Sequence, residues 1–179
     1  MAETRSEARI APAAEGAATV ETGLPVLDHL VGELARTGRF RLSLEVAPGS
    51  ADEVLTAAGR ALGRAIAERL DAGVAGSGFA IMPADEALAL ASLERTTDAR
   101  LVTNVDFSEE RVGGVATDVV TRFLEEVAIV AGINLHVRLV EGTDPQHVLA
   151  AIFKAVGAAL GAALRRTDRQ PEEEPPSGD

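Results

Sequence analysis

The sequence predicts an α/β (α+β) fold made of two similar halves, each a sheet with helices on one face. The order helix, strand, long helix occurs twice along the 179 residues. A shift of 94 residues also pairs like residues of the two segments: Leu30 with Leu124, Gly38 with Gly132, Val46 with Val140, Ala61 with Ala155, Gly63 with Gly157 and Ala65 with Ala159. Such self-similarity predicts an internal duplication with a pseudo-twofold axis between the halves.

The composition agrees with helices packed closely on sheets. Hydrophobic residues make up 46% of the chain, with five Phe and no Tyr or Trp. The core must therefore be built from small and medium aliphatic side chains, which allow helices to approach a sheet closely. The length suits one compact domain.

The first half begins with alternating apolar and polar residues, which predict strands joined by a turn near Ala14 and Gly16. Its predicted elements are strands at 5–12 and 16–22, a helix at 24–37, a strand at 39–46 and a long helix at 51–70. Gly38 ends the first helix. Asp52 and Glu53 lie in the first turn of the long helix, where the helix dipole favours acidic side chains.

The second half shows the same periodicities after three further strands. These further strands are predicted at 78–83, 86–96 and 100–107 in a meander, and the second half continues with a helix at 115–132, a strand at 133–140 and a long helix at 144–166. Asp144 is the predicted N-cap of that helix, with Pro145 at its first position. We expect a single domain over 1–167, with halves of about 1–95 and 96–167. Residues 168–179 combine proline with acids and are expected to form a disordered tail.

Charge and cysteine content exclude several classes of function. The formal net charge is -11 and no stretch concentrates Lys and Arg, so a nucleic-acid partner is not expected. The chain has no cysteine, so any metal must be held by nitrogen and oxygen ligands. No segment reads as a signal peptide or as a membrane span of roughly 18 apolar residues, so a cytoplasmic protein without a membrane partner is expected.

Four segments carry motifs that together resemble one known enzyme family. They are ETGLPVLDHL at 21–30, MPADEAL at 82–88, GINLHVRLVEG at 132–142 and HVLAAIFKAVGAAL at 147–160. In this order they resemble motifs of imidazoleglycerol-phosphate dehydratase, the manganese-dependent lyase of histidine biosynthesis. The resemblance extends over about residues 3 to 164. It implies a fold like the second domain of ribosomal protein S5.

The resemblance also implies roles for individual residues. All three histidines of the chain, His29, His136 and His147, match metal-binding histidines of the family. Glu3, followed by Thr4, matches a glutamate near the substrate, although two residues carry little information. Lys154, the only lysine of the chain, matches the lysine that binds the substrate phosphate. The alternative for each histidine is a structural role, and for Lys154 a solvated side chain.

The chain departs from the family at the starts of its two long helices. The family pattern there is His-His-x-x-Glu, in which residues four apart share a helix face and can bind one ion. The aligned residues are Asp52, Glu53 and Thr56 in the first half and Gln146, His147 and Ala150 in the second. Five of the family's eight ligand positions are thus replaced. Asp52 or Glu53 could supply an oxygen ligand to a degenerate manganese site, or could simply begin the helix well.

These departures leave three functions open. The protein could keep the fold, with dehydratase activity lost or reduced. It could be an active, divergent metal-dependent lyase acting on imidazoleglycerol phosphate or a related small phosphorylated compound. It could also be a non-catalytic partner subunit of a complete dehydratase. The resemblance further implies self-assembly into a homo-oligomer, a shell built from trimers.

Overall fold

The computed structural model describes residues 5–106 and 111–167. Its elements are β1 (Glu7–Pro12), β2 (Ala17–Glu21), α1 (Pro25–Gly38), β3 (Phe40–Glu45), α2 (Ala51–Ala67), β4 (Ser77–Ala84), β5 (Ala87–Arg95), β6 (Arg100–Thr103), β7 (Arg111–Val112), β8 (Val115–Ala116), α3 (Thr117–Ala131), β9 (Ile133–Glu141) and α4 (Pro145–Ala163). Glu3 and the tail 168–179 lie outside the described residues.

The two main sheets repeat one arrangement of strands. In the first sheet β3 lies in the middle, antiparallel to β1 and parallel to β2. In the second sheet β9 lies antiparallel to β5 and parallel to β6, and β4 adds an outer strand beside β5. The predicted α+β fold of two like halves is confirmed. Because β4 and β5 pair within the second sheet, the hydrogen-bonded unit of the second half begins at Ser77.

The predicted meander of the second half is wrong in its third strand. β4 and β5 form a hairpin as expected, but β9 lies between β5 and β6. Likewise β1 and β2 do not pair with each other, because β3 lies between them. In each sheet the central strand and its parallel neighbour are joined by a chain segment that contains a helix. The alternation of apolar and polar residues within a strand does not indicate which other strand will pair with it. A two-stranded hairpin, β7–β8, was not predicted and precedes α3.

The spacing between equivalent residues of the two halves changes by one residue along the repeat. The left-handed residue that ends the first helix is Arg39 (φ 55°) in α1 and Gly132 (φ 72°) in α3, which are 93 residues apart. The N-caps of the long helices, Ser50 and Asp144, are 94 apart. The predicted pairing of Gly38 with Gly132 is therefore one residue out of register. The first half thus forms this cap without glycine, although glycine adopts the conformation more easily.

The four helices join the two halves, because the long helix of each half packs on the first helix of the other. α2 packs on α3, and α4 packs on α1. Both crossings have a glycine at the contact. A Cβ added at Gly63 would lie 2.8 Å from the Cβ of Val130, and one at Gly157 would lie 2.8 Å from the carbonyl carbon of Leu34. Close helix contact therefore depends on small residues at equivalent positions of the two long helices.

α4 is the most apolar element and lies in the core. Among the described helices it is the one that is long and apolar enough to cross a membrane, but 61% of it is buried inside the protein. It packs against α1, β4 and β5. Its Phe153 stacks on Phe123 of α3, with ring centroids 5.8 Å apart. α4 is thus the central helix of a shared core rather than a membrane segment.

Candidate metal centre

The starts of α2 and α4 are equivalent positions of the two halves, and each is capped by a side chain. The Ser50 hydroxyl accepts a hydrogen bond from the backbone N–H of Glu53 at 3.3 Å. The Asp144 carboxylate accepts one from the backbone N–H of Gln146 at 2.8 Å. Both caps satisfy amide groups that have no partner inside the helix. These two helix starts are the segments that the resemblance aligned with the His-His-x-x-Glu pattern.

At the start of α2, both acidic side chains have protein partners. The Asp52 carboxylate lies 2.7 Å from the guanidinium of Arg122 on α3. The Glu53 carboxylate accepts from the backbone N–H and the hydroxyl of Ser50, both at 2.8 Å, which completes a capping box. These hydrogen bonds lower the pKa of Glu53. The local contacts account for both residues as parts of a helix start and an interhelix ion pair.

At the start of α4, His147 is held by the turn between β4 and β5. This turn consists of two residues, Asp85 and Glu86, since Ala84 pairs with Ala87 in the hairpin. The Nδ1 atom of His147 lies 2.5 Å from Oε2 of Glu86, and its Nε2 atom lies 3.3 Å from Oδ2 of Asp85. In the sequence these two residues were recognised only as part of the MPADEAL motif, without a catalytic role. Their approach to His147 joins residues about 60 positions apart, and nothing in the local sequence indicates it.

Glu86 also binds the backbone that leads into α4. Its Oε1 atom accepts from the N–H groups of Thr143 at 3.4 Å and Asp144 at 3.0 Å. The hydrogen bond from Asp144 is the main reason that the pKa of Glu86 falls to about 2, and the bond with His147 is the second. Conversely, the hydrogen bond with Glu86 raises the pKa of His147. Glu86 therefore stays ionised and fixes the imidazole of His147.

His29 and Lys154 lie at the crossing of α1 and α4, near Glu33. The pKa of Glu33 is lowered chiefly by its hydrogen bond with Arg36, and the charges of His29 and Lys154 lower it further. The ammonium group of Lys154 also donates to the carbonyl oxygen of Pro83 on β4. In the other half, the equivalent crossing carries an ion pair between Arg60 and Glu126 at 2.9 Å. Lys154 thus has the position of an interhelix cation in the repeat.

His136 lies on a different surface. It projects from β9 on the face of the second sheet away from the helices, since Leu135 and Val137 on either side are buried. With Asn134 and Arg138 it lines an open cavity of about 730 Å³, next to the exposed Phe79. The structure therefore does not place His136 with either of the other two histidines.

The donor set at these positions does not fit a two-ion centre within one chain. Across residues 5–106 and 111–167, no three His, Asp or Glu side chains are grouped so that they could hold a metal ion. Asp52 and Glu53 are engaged by Arg122 and Ser50, and both nitrogens of His147 face carboxylates. Each predicted ligand thus has a separate set of neighbours.

Comparisons with known proteins place this geometry in a family. The family model for imidazoleglycerol-phosphate dehydratase matches residues 22–160. The imidazoleglycerol-phosphate dehydratase of Desulfitobacterium hafniense is 37% identical over 174 residues, which cover 93% of this chain and 88% of that protein. The one from Chloroflexus aurantiacus is 35% identical and covers 80% of this chain and 73% of that protein.

Solved structures agree. The imidazoleglycerol-phosphate dehydratase of Staphylococcus aureus superimposes with a TM-score of 0.83 at 27% identity, covering 93% of this chain and 97% of that one. The Pyrococcus furiosus enzyme shares the fold, with a TM-score of 0.78 at 22% identity and 94% of each chain covered. The sequence matches and the shared fold show that this chain belongs to the imidazoleglycerol-phosphate dehydratase family.

Proposed function

We propose that this chain is a family member without the complete dimanganese centre, and that its dehydratase activity is lost or strongly reduced. The supporting observation is at the start of α2. There all three aligned ligand positions are replaced, and the substitutes Asp52 and Glu53 are occupied by Arg122 and Ser50. A side chain that caps a helix or forms an ion pair must give up that contact before it can bind an ion.

The test is turnover of imidazoleglycerol phosphate by purified protein with added manganese. The Desulfitobacterium hafniense relative, assayed in parallel, supplies the reference rate. Metal ions contribute several kcal/mol to such reactions, so we expect a rate lower by a factor on the order of 1,000 or more. Turnover within tenfold of the reference would contradict the proposal.

The second candidate is an active, divergent lyase that acts on imidazoleglycerol phosphate or on a related small phosphorylated compound. The observation in its favour is the crossing of α1 and α4, where His29 and Lys154 both approach Glu33. An exposed histidine and a lysine whose charges both act on Glu33 could bind a phosphorylated ligand. If inorganic phosphate raises the melting temperature of the protein but not that of a Lys154→Met variant, this candidate gains support.

Self-association is proposed from a contrast between the outer faces of the two sheets. The second sheet exposes Phe79 to 59% and Ile81 to 48%, beside His136. The first sheet exposes only small or polar residues on that side: Glu7, Arg9, Ala11, Ala17, Thr19, Glu21, Arg41, Ser43 and Glu45. An exposed apolar patch favours contact with another chain. We therefore propose a homo-oligomer, for which the family resemblance implies a trimer-based shell with any manganese shared between chains.

We propose three further properties, which concern partners and location. A complete dehydratase in the same cell could be a partner, which co-purification of the two chains would reveal. The net charge of -11 disfavours nucleic acid as a partner. We further propose a cytoplasmic location without a membrane partner.

Light scattering of the purified protein, with a Phe79→Ser variant as comparison, tests the proposed homo-oligomer.

A further inference from the structure

A groove lined by arginine side chains lies at the end of α4. Its main cavity, of about 570 Å³, is formed where the ends of α1 and α4 meet the end of β1, and Arg39, Arg165 and Arg166 line it. A smaller cavity beside β1 continues it and adds Arg69. We call the two together the arginine groove, because they have four lining residues in common: Pro12, Phe40, Leu164 and Arg166.

The arginine groove concentrates positive charge in an acidic protein. The formal net charge of the chain is -11, yet no Asp or Glu within residues 5–106 and 111–167 lines either cavity. Arg166 pairs with Asp71 at 3.2 Å. Among the described residues, the exposed side chains of Arg39, Arg69 and Arg165 have neither an ion pair nor a hydrogen bond. Three positive charges on one surface therefore lack a counter-charge, which favours an anionic occupant.

The last described residues of the chain lie beside this groove. The backbone N–H of Ala75 donates to the carbonyl oxygen of Arg165 at 3.0 Å. Two residues further on, the N–H of Thr167 donates to the carbonyl oxygen of Gly73 at 3.1 Å. These two hydrogen bonds fix the end of α4 against the loop that precedes β4. The chain beyond Thr167 therefore starts next to the arginine groove.

The sequence that follows Thr167 carries the opposite charge. Residues 168–179 contain five acidic residues and one arginine. Three consecutive glutamates, 172–174, stand between prolines in PEEEPP at 171–176, which we call the acidic segment. Proline favours an extended chain that rises about 3.1 Å per residue. The five residues from Thr167 to the first glutamate can thus span about 15 Å, more than the diameter of a helix.

We propose that the acidic segment docks in the arginine groove of its own chain, where its glutamates pair with Arg39, Arg69 and Arg165. Its prolines contact Ala158 and Ala162 of α4, which also line the groove. Burial of apolar surface alone could not order this composition. Several charge pairs within one chain can do so, because a tethered partner has a high effective concentration. The groove lies at the end of α4 opposite the candidate metal centre, so docking goes beyond the proposed function.

The experiment uses the full chain with Ser177→Cys, which carries a nitroxide label on the single cysteine. Electron paramagnetic resonance measures how freely the label moves. At low salt we expect a slowly moving component of about half the signal or more, as for a tethered partner. It should fall at least about fivefold in roughly 0.5 M salt, because exposed charge pairs are screened. The combined change of Glu172→Gln, Glu173→Gln and Glu174→Gln should remove it at low salt.

Exchanging the charges separates docking from a structural role of the arginines. Arg69→Glu with Arg165→Glu should abolish the slow component. A second variant, which should restore it, adds three changes to these two: Glu172→Arg, Glu173→Arg and Glu174→Arg. Arg41→Glu is the matched control for Arg165→Glu alone, because Arg41 is an exposed arginine of β3 outside the groove, and it should leave the spectrum unchanged. If the groove variant fails to fold, the glutamine variant of the acidic segment decides.

A label that moves freely at low salt overturns the proposal, and so does a slow component that persists in high salt or in the groove variant. Docking in the groove of a second copy is tested by co-expressing a labelled chain that carries Arg69→Glu and Arg165→Glu with an unlabelled chain whose groove is intact. A slow component in that mixture overturns docking within one chain. None of these measurements involves manganese or turnover, so a negative result leaves the proposed function standing.

Discussion

The starts of α2 and α4 are equivalent in the repeat, yet their polar side chains bind partners at different distances along the sequence. At α2, Glu53 binds Ser50 three residues away, and Asp52 reaches across to Arg122 on the facing helix. At α4, His147 is held by Glu86 from a hairpin of the sheet below. The first helix start is completed mainly by local contacts and the second by tertiary ones. One fold position can therefore carry the glutamate of a capping box in one half and an oriented imidazole in the other.

The largest expected effect comes from restoring the family pattern at each helix start separately. Gln146→His with Ala150→Glu adds two ligands beside His147, whereas Asp52→His, Glu53→His and Thr56→Glu must replace all three. We expect the α4 variant to gain more affinity for Mn²⁺, by at least tenfold, because one imidazole is already in place and the capping box of α2 is not disturbed. Calorimetric titration of both variants measures the difference. Equal gains would contradict the contrast between the two starts.

The two helix crossings should respond unequally to a single added methyl group. Gly157→Ala brings a Cβ against the backbone of Leu34, whereas Gly63→Ala meets mainly the side chain of Val130. Overpacking lowers the free energy of unfolding by about 1–3 kcal/mol, and backbone moves less readily than a side chain. We therefore expect a loss of about 3 kcal/mol or more for Gly157→Ala and of about 1 kcal/mol for Gly63→Ala. Urea unfolding gives both values. As a control, Gly32→Ala on α1 should not destabilise, because a Cβ there meets nothing within 4 Å.

The pH dependence of stability should also separate the two starts. The pKa of Glu86 is lowered to about 2, so its contribution is complete above its unfolded value near 4.5 and is lost as pH falls toward 2. The pKa of His147 is raised, so its contribution is complete below its unfolded value near 6.5 and is lost as pH rises through the higher folded value. The pair therefore stabilises most between about pH 4.5 and 6.5.

Melting temperatures across pH check this for the unmodified protein, Glu86→Gln and Glu53→Gln. The difference caused by Glu86→Gln should shrink on both the acid and the alkaline side. Glu53 has a lowered pKa and no histidine partner, so the difference caused by Glu53→Gln should shrink only on the acid side. If the difference in melting temperature caused by Glu53→Gln also shrinks at alkaline pH, a group other than His147 causes the alkaline loss of stability.

The smallest effect is expected from the ion pair between Asp52 and Arg122. Both side chains are more than half exposed, at 55% and 53%. Exposed pairs of this kind contribute about 0–1 kcal/mol, and less at high salt. Asp52→Asn should therefore lower the free energy of unfolding by no more than about 1 kcal/mol. A urea titration that gives a loss above 2 kcal/mol would mean that Asp52 has a further partner at the start of α2.

Local sequence signals predicted most of the fold, because they act over a few residues. Within the described residues, periodicity located all four helices and the seven longer strands, and Asp144 caps α4 as its position before Pro145 indicates. The partner of β5 and the offset of one residue between Gly132 and Arg39 were not predicted. Strand partners depend on the path of the crossover helices. The single shift of 94 was applied to all elements, whereas the residues that end the first helices are 93 apart.

The sequence by itself determined the family and the duplicated α+β arrangement, since both depend on residue identity and spacing along the chain. Only the tertiary structure decided what the residues at the two helix starts contact. Glu86 meets His147 because the β4–β5 hairpin and the start of α4 pack at one end of the same sheet, about 60 residues apart in sequence. A hydrogen bond of 2.5 Å across that separation depends on the packing of whole elements, and no local pattern encodes it.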